Sequence, residues 1–357
     1  MDKKKKLLFV VNPISGTKGK DSILRQISLH LNKSLFNYHI EKTQYQGHAS
    51  ELTQKAVSDG YDIVVAIGGD GTVNEVARSL VHTSTALGII PCGSGNGLAR
   101  HLRIPMDPRG AIDILNQCDI HDFDYGIIND LPFFCTCGMG FDAFISMKFA
   151  NAEKRGPTTY IENILKEGLK YKPETYIVED ETGTSRYEAF LISCANAAQY
   201  GNNAYIAPNA SMSDGLMDVV IMEPFNVIEA PQISLQLFSR TLDKNSKIKT
   251  FRTKRLHIRR QSPGVIHYDG DPVMTGADVD VELINHGIRI IANPAAKDVD
   301  PEANHDTNPL LDVFSEFFND VNSGLKDNID DMRHDIVKAN RKIQVINKSL
   351  LRKLTRK

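Results

Sequence analysis

The sequence predicts an α/β domain with a doubly wound parallel sheet, then a mostly antiparallel β domain and an extra helical C-terminal segment. Short apolar runs alternate with helical patterns at the start of the chain, which is typical of parallel sheets covered on both faces. After about Asp124, strand patterns separated by turn residues predominate instead. The chain of 357 residues, 41% of them hydrophobic, is long enough for two cores.

Strands and helices alternate in the predicted first domain, residues 1–125. The segments that we interpret as strands are Leu7–Val11, Tyr38–Thr43, Ile63–Ile67 and Leu87–Pro91. Helices are predicted to begin near Ser22, His48, Thr72 and Asn96. Ligands of a parallel sheet bind at the carboxyl ends of its strands, so we expect the functional site of this domain there.

The predicted second domain, residues 126–296, consists mainly of strands bounded by Gly, Pro, Asn and Asp. These strands are predicted at Thr175–Glu179, Glu188–Ala195, Met217–Met222, Arg255–Arg259, Val265–Tyr268, Val279–Leu283 and Gly287–Ala292. Residues 297–357 are a polar linker and a segment whose apolar residues recur at helical spacing from Leu310 onward. This segment could pack on the protein or on a second copy in a homodimer, or lie in a membrane interface.

Composition and charge argue against several classes of function. The net charge is −2 and the first half has no basic stripe interleaved with aromatics, so nucleic acid is not an expected partner. The five cysteines form no CxxC pair, which is expected of reduced thiols in a cytoplasmic protein. No run approaches the ~20 apolar residues of a membrane-spanning helix, so membrane association is expected to be peripheral.

Three of the predicted strands end in loops rich in glycine and small polar residues. These loops are Asn12–Gly16, which Lys18 and Lys20 follow, Gly68–Glu75 and Pro91–Gly97. Glycine lets the backbone approach a phosphate closely, and a helix N-terminus presents free N–H groups to it. One such loop is weak evidence, but three in consecutive units predict a phosphate site. Neither Walker A nor GxGxxG is present, and Asp70 suits Mg²⁺ held with a nucleotide.

In this order and spacing, the motifs NPxSG, GGDGTxNE and PCGSGN resemble the catalytic domain of the diacylglycerol kinase and sphingosine kinase family, related more distantly to NAD kinases. The resemblance covers about residues 7 to 295. It implies that the first domain binds ATP, that the second is a β-sandwich holding a lipid, and that the active site lies between them. The implied activity is ATP-dependent phosphorylation of a lipid hydroxyl, of diacylglycerol or a sphingoid base, at a membrane surface.

The resemblance also implies roles for individual residues. Those expected near ATP are Asn12, Ser15, Gly16, Thr43, Gly69, Asp70, Gly71, Thr72, Asn74, Glu75 and Ser94. Asp271 matches the last acid of the family's DGE motif and is expected to accept the proton of the substrate hydroxyl. It is one methylene shorter than the family's glutamate, and Asp70 is the rival candidate for this role.

A further segment, Ala207–Asp218, resembles the place where a bacterial lipid kinase holds a structural Mg²⁺. The ligands implied are the side chains of Ser211 and Asp214 and the backbone carbonyl of Leu216, all hard oxygen donors. From the residues alone, Asp214 and the glycine after it are equally typical of a hairpin turn. Asp142 matches another family motif, which places an acid near the lipid head group.

Several interpretations of function remain open at this point. The third loop is more similar to that of sphingosine and ceramide kinases than to the bacterial GTxNDFAR form, which favours a sphingoid base without excluding diacylglycerol. A soluble-substrate kinase of the NAD kinase type is disfavoured by the lipid-kinase signatures of the β half. A nucleotide-binding regulator without catalysis is suggested by the shorter acid at Asp271 and the C-terminal extension, and opposed by the intact glycine loops.

Overall fold

A computed structural model describes residues 3–15, 19–150, 167–168, 170–226 and 228–294 of the chain. The predicted helical segment within residues 297–357 lies outside this part. None of the described helices is long and apolar enough to cross a membrane. The described chain forms a parallel α/β layer and a β-sandwich, which share one long strand.

The first part of the chain forms a parallel sheet. Its strands are β1 (Lys5–Val11), β2 (Phe36–Lys42), β3 (Ile63–Gly68) and β4 (Ala86–Pro91), in the spatial order β2-β1-β3-β4. The helices are α1 (Lys20–His30), α2 (His48–Ser58), α3 (Asp70–Leu80), α4 (Gly97–His101) and α5 (Pro108–Gln117). Helix α1 packs with α5, and α2 packs with α3. Strands β3 and β4 are buried along their whole length, as their continuous apolar sequences predict.

The second part forms two sheets that pack face to face. Its elements are β5 (Ile120–Ile128), β6 (Leu131–Phe133), β7 (Thr136–Gly140), α6 (Phe141–Ala150), β8 (Glu174–Asp180), β9 (Gly183–Ala189), β10 (Leu191–Ala195), β11 (Met217–Met222), α7 (Ala230–Phe238), β12 (Ile248–Thr253), β13 (Arg255–Arg260), β14 (Gly264–Tyr268), β15 (Asp271–Thr275) and β16 (Asp278–Ile291). One sheet has the order β12-β11-β10-β7-β14-β15, and β13, β8 and β9 continue the first sheet beyond β16. Side chains such as Ile192, Val219 and Ile258 are buried in the sandwich core. The predicted α/β plus β fold class is confirmed.

The long strand β16 belongs to both parts of the molecule. It pairs in parallel with β4 near its end, at Ile290, and antiparallel with β13 and β5. The sequence predicted two strands here, separated by a turn. That prediction was wrong because the intervening residues form a bulge, in which His286 has a φ of 52° and donates its N–H to Asp124 at 2.8 Å.

The chain changes sheets at Phe190, where the sequence predicted one continuous strand. Strand β9 ends just before it and pairs with β8, whereas β10 begins just after it and pairs with β7 and β11. The Phe190 side chain is buried against the rings of Phe141 and Phe225, at centroid distances of 4.6 and 4.7 Å. A local apolar pattern does not reveal such a division, because residues on both sides of the change are apolar.

Candidate active site

Two glycine-rich loops interlock at the carboxyl ends of β3 and β4. A Cβ atom added at Gly93 would lie 2.8 Å from the Cα atom of Gly69, and one at Gly95 would lie 2.7 Å from Oδ2 of Asp70. Side chains at these positions would therefore push the loops apart. The sequence predicted glycines that let a phosphate approach, and the structure gives these glycines a second role in packing one loop on the other.

Asp70 joins the same two loops through its carboxylate. Oδ2 accepts the N–H of Asn96 at 2.9 Å, and Oδ1 accepts the N–H of Gly97 at 2.8 Å. The Asn96 side chain in turn accepts the N–H of Gly93 and donates to its carbonyl, at 3.1 and 2.7 Å. Both carboxylate oxygens of Asp70 are thus bound by backbone donors at the start of α4.

The first glycine-rich loop lies beside the second. Nδ2 of Asn12 donates to Oγ1 of Thr72 at 3.0 Å. Oδ1 of Asn12 accepts the N–H of Ile14, and its carbonyl accepts the hydroxyl of Ser15, both at 3.2 Å. Three of the residues predicted near the nucleotide are therefore within one hydrogen-bonded group. Gly16, predicted with them, lies outside the described residues.

Helices α1 and α3 begin at this edge of the sheet without a capping side chain. Their N-cap residues are Gly19 and Gly69, whereas α5 is capped by Asp107, which accepts the N–H of Gly110. A Cβ atom at Gly71, in the first turn of α3, would meet nothing within 4 Å. Free N–H groups at a helix N-terminus attract anions, so this edge has the chemistry of a phosphate site.

The other residues predicted near the nucleotide flank these loops. Thr43 directly follows β2 and is buried, as is Asn74 on α3. Ser94 is exposed at the tip of the third loop. The carboxylate of Glu75 accepts the N–H of Gly47 at 3.1 Å and so joins α3 to the start of α2.

Asp269 is partly buried in the turn between β14 and β15, where its carboxylate accepts three backbone N–H groups. Oδ1 accepts from Cys135 and Thr136 at 2.7 and 3.1 Å, and Oδ2 accepts from Phe134 at 2.8 Å. Burial raises the pKa of the Asp269 carboxyl, and these donors and the nearby Arg78 oppose the rise. Asp269 therefore holds the turn in place.

Asp271, the predicted proton acceptor, is half-exposed and forms an ion pair with Arg78 of α3. Nη2 of Arg78 lies 3.0 Å from Oδ2 of Asp271, and its guanidinium lies 4.4 Å from the ring centroid of Tyr268. The pair connects helix α3 with the turn between β14 and β15, across 193 positions of the chain. Sequence reasoning missed Arg78, and no signal indicated it, because this residue belongs to no motif.

A second set of hydrogen bonds connects helix α6 with the turn between β14 and β15. Oδ2 of Asp142, at the start of α6, accepts from Nε2 of His267 at 3.0 Å and from the hydroxyl of Tyr200 at 3.2 Å. Nδ1 of His267 accepts the N–H of Gly270 at 3.4 Å, so Nε2 carries the ring proton. His267 thus links Asp142 to the turn that carries Asp271, a connection absent from the sequence analysis.

The segment predicted to bind a structural Mg²⁺ contains an ion pair instead. Asp214 is paired with Arg252, whose Nε also lies 3.4 Å from Oδ2 of Asp218. The side chain of Ser211 contacts Ser213, and the described residues contain no cluster of three His, Cys, Asp or Glu side chains suited to a metal. A guanidinium already neutralises the carboxylates here, so these residues do not fit a metal and we derive no step through one.

The basic strand β13 faces acidic residues of β16. Nε of Arg255 lies 2.9 Å from Glu282, and Nε of Arg259 lies 2.8 Å from Asp278. The hydrogen bond from Arg259 is the main interaction that lowers the pKa of the Asp278 carboxyl. The cross-strand pairs balance the positive charge of β13, which is typical of a solvated sheet face.

Two family models together match most of the chain. The model of the diacylglycerol kinase catalytic domain matches residues 6–128, and the model of the YegS C-terminal NAD kinase beta sandwich-like domain matches residues 135–292. A diacylglycerol kinase from Mycobacterium tuberculosis is 30% identical over 233 residues, which cover 62% of this chain and 74% of the relative. One from Staphylococcus epidermidis is 25% identical over 272 residues, covering 75% and 86%. The chain belongs to the diacylglycerol kinase family, and therefore to a family of kinases.

The fold is similar to that of a crystallised relative. The crystal structure of a diacylglycerol kinase from Bacillus anthracis superimposes with a TM-score of 0.64 at 22% sequence identity, covering 83% of this chain and 100% of that one. At this level of identity the likeness establishes the fold alone. The predicted resemblance to the diacylglycerol kinase family is confirmed by the relatives and the family models together.

Proposed function

We propose that this protein is an ATP-dependent lipid kinase, which transfers the γ-phosphate of ATP to the hydroxyl of diacylglycerol or a sphingoid base. The observation that carries the proposal is that helix α3 connects a phosphate-type site with an exposed acid of the sandwich. The uncapped N-termini of α1 and α3 lie at the edge where the glycine loops meet. The ion pair of Arg78 and Asp271 then links α3 to an acid of the sandwich.

ATP is proposed to bind with its phosphates at this edge. The N–H groups of the first turn of α3 and the polar group around Asn12 and Thr72 are suited to phosphate oxygens. Mg²⁺ bound with ATP would neutralise the charge that develops during transfer. Asp70 is proposed to shape this site by holding the loops, since both its oxygens already accept backbone N–H groups.

Asp271 is proposed to orient the acceptor hydroxyl and accept its proton. Phosphoryl transfer depends more on positioning and charge neutralisation than on covalent chemistry, so the position of this carboxylate matters most. Arg78 holds one of its oxygens, while half of the side chain stays exposed for a substrate. The three N–H groups bound by Asp269 keep the turn rigid.

The apolar part of the lipid has a candidate region in the sandwich lobe. Aromatic rings cluster beyond Asp142, with centroids 5.5 Å apart for Phe141 and Tyr171 and 4.7 Å apart for Phe190 and Phe225. The rings of Tyr171 and Phe225 are only partly buried, so part of this cluster is open to a ligand. Such a surface is suited to acyl chains, and we propose that the protein works as a peripheral enzyme at the cytoplasmic face of a membrane.

We also propose the division into an ATP domain, residues 1–125, and a lipid domain, residues 126–296. Strand β5 crosses this boundary and β16 pairs with both parts. The substrate therefore has to enter between lobes that remain connected by two strands. Such a connection favours small hinge motions over full separation of the lobes.

The test is transfer of radiolabelled phosphate from ATP and Mg²⁺ to a panel of lipids in mixed micelles. The panel contains diacylglycerol, sphinganine, ceramide, phosphatidylglycerol and undecaprenol, with NAD as the soluble control. A labelled diacylglycerol or sphinganine supports the proposal and names the substrate. Label on NAD alone would support the NAD kinase type instead, and no product despite ATP binding would support a regulator.

A further inference from the structure

Two carboxylates of the segment Ser211–Asp218 lie against one guanidinium. Arg252 of β12 is paired with Asp214, and its Nε also lies 3.4 Å from Oδ2 of Asp218. Asp218 and Arg252 are direct partners in the register of β11 with β12. Opposite charges that face each other across a strand pair attract, so the sheet itself places the guanidinium beside the segment.

The two carboxylates need a positive charge beside them. The side chain of Asp218 is only 14% exposed. Burial raises the pKa of its carboxyl, Arg252 opposes the rise, and Asp214 adds to it. A partly buried carboxylate with a second one nearby is stable in its charged form only where a cation balances it. A metal ion or a basic side chain can supply this charge, and here the chain supplies it with Arg252.

Other oxygen atoms around the segment are also occupied. Oδ1 of Asp214 accepts the N–H of Leu216 at 3.2 Å. Oδ2 of Asp124 accepts the N–H of Gly215 at 2.9 Å, and its Oδ1 accepts that of His286 at 2.8 Å. Through Asp124, the segment is joined to β5 and to the bulge of β16. The order of the segment therefore contributes to the stability of the strands that connect the two parts of the molecule.

We propose that Arg252 takes the place of a structural metal ion, so that this segment folds without a divalent cation. The residues for which the sequence predicted Mg²⁺ are Ser211, Asp214 and Leu216. They have instead a cation that belongs to the chain and that no chelator can remove. The inference concerns the protein without nucleotide and does not depend on the proposed kinase activity. Under that activity, Mg²⁺ is then required only where it arrives with ATP.

The experiment measures thermal unfolding of the nucleotide-free protein in EDTA and in excess Mg²⁺. The wild-type protein is expected to have the same melting temperature in both. Arg252→Met leaves the two carboxylates unbalanced, so in EDTA its melting temperature should fall by about 2–4 °C. Mg²⁺ should restore at least half of this loss, because carboxylate oxygens are the ligands that it prefers. Arg255→Met is the matched control, since Arg255 pairs with the single carboxylate of Glu282, and Mg²⁺ should not stabilise it.

Three results would overturn the inference. The first is a wild-type melting temperature that falls in EDTA and returns with Mg²⁺, which would show that a metal ion stabilises the natural protein. The second is an Arg252→Met melting temperature equal to that of the wild type in EDTA. The third is a destabilised Arg252→Met on which Mg²⁺ has no more effect than on Arg255→Met, which would make the guanidinium an ordinary ion-pair partner. Arg252→Lys keeps a positive charge and should stay insensitive to Mg²⁺, so it provides a second test if Arg252→Met does not fold.

Discussion

Asp269 and Asp271 lie two positions apart in the same turn, yet their surroundings differ completely. Asp269 is partly buried, and three backbone N–H groups bind its carboxylate. Asp271 is half-exposed and forms an ion pair with the guanidinium of Arg78. An acid can therefore belong to a family motif and still have a structural role. Asp269 holds the turn in place, whereas half of the Asp271 side chain is exposed to solvent.

The same contrast separates other polar residues of the site. Asp70 resembles Asp269, because backbone N–H groups bind both its oxygens. His101 also holds the backbone, since it is partly buried and its Nδ1 accepts the N–H of Ala198 at 3.2 Å. Removing a residue that holds the backbone in this way should lower stability, whereas removing Asp271 should lower turnover.

The largest effect is expected from Asp271→Asn. The amide keeps the shape of the side chain but cannot accept a proton, so kcat should fall about a thousandfold. The affinity for ATP, measured by titration, should change by no more than a few-fold because the glycine loops are untouched. Asp113→Asn, at an exposed acid of α5, is the control. Normal turnover in Asp271→Asn would transfer the role of base to another acid, with Asp70 the first to test.

Asp269→Asn should affect stability instead. The amide presents an NH₂ group where the carboxylate accepted an N–H, so one backbone donor loses its partner, at a cost of about 1–3 kcal/mol. The loss is moderate because removal of the charge also removes its burial cost. Urea unfolding measures the change, and kcat per folded molecule should stay near the wild-type value. A large fall in kcat at unchanged stability would contradict the structural role of Asp269.

Arg78→Gln tests whether the ion pair positions the acid. Without the guanidinium, Asp271 is free to turn away from the acceptor, so kcat should fall about tenfold while KM for ATP stays similar. Arg78→Lys should restore part of the rate because it keeps the positive charge. If Arg78→Gln costs as much kcat in an Asp271→Asn background, where no carboxylate remains to be positioned, the two residues act independently and the positioning role is wrong.

The smallest effect concerns His101 and pH. Burial lowers the pKa of His101 to about 4, below its ordinary value of 6.5. As the pH falls from 6.5 toward 4, the unfolded chain binds a proton that the folded protein does not, so stability decreases in this window. At pH 5.5 the loss should be about 1 kcal/mol relative to pH 7.5. In urea unfolding, His101→Gln should abolish this difference, and His39→Gln, at an exposed histidine, should keep it.

Much of the fold followed from local pattern. The apolar run Ile63–Ile67 became a fully buried parallel strand, because such strands bury both faces and need apolar residues throughout. The glycine loops were located correctly at the strand ends by composition. The two strands predicted for β16 failed at a bulge, since a turn and a bulge use the same residue types and only the paired neighbours distinguish them.

The sequence predicted the alternation of strands and helices in the first part of the chain, the position of the glycine loops, and the family. These features depend on residues that are close in the chain, where periodicity and motif spacing are informative. The tertiary structure was needed to show which acid is exposed and that Arg78 pairs with Asp271. Burial and pairing depend on segments distant in sequence, and the free energy of a polar side chain is set by those neighbours.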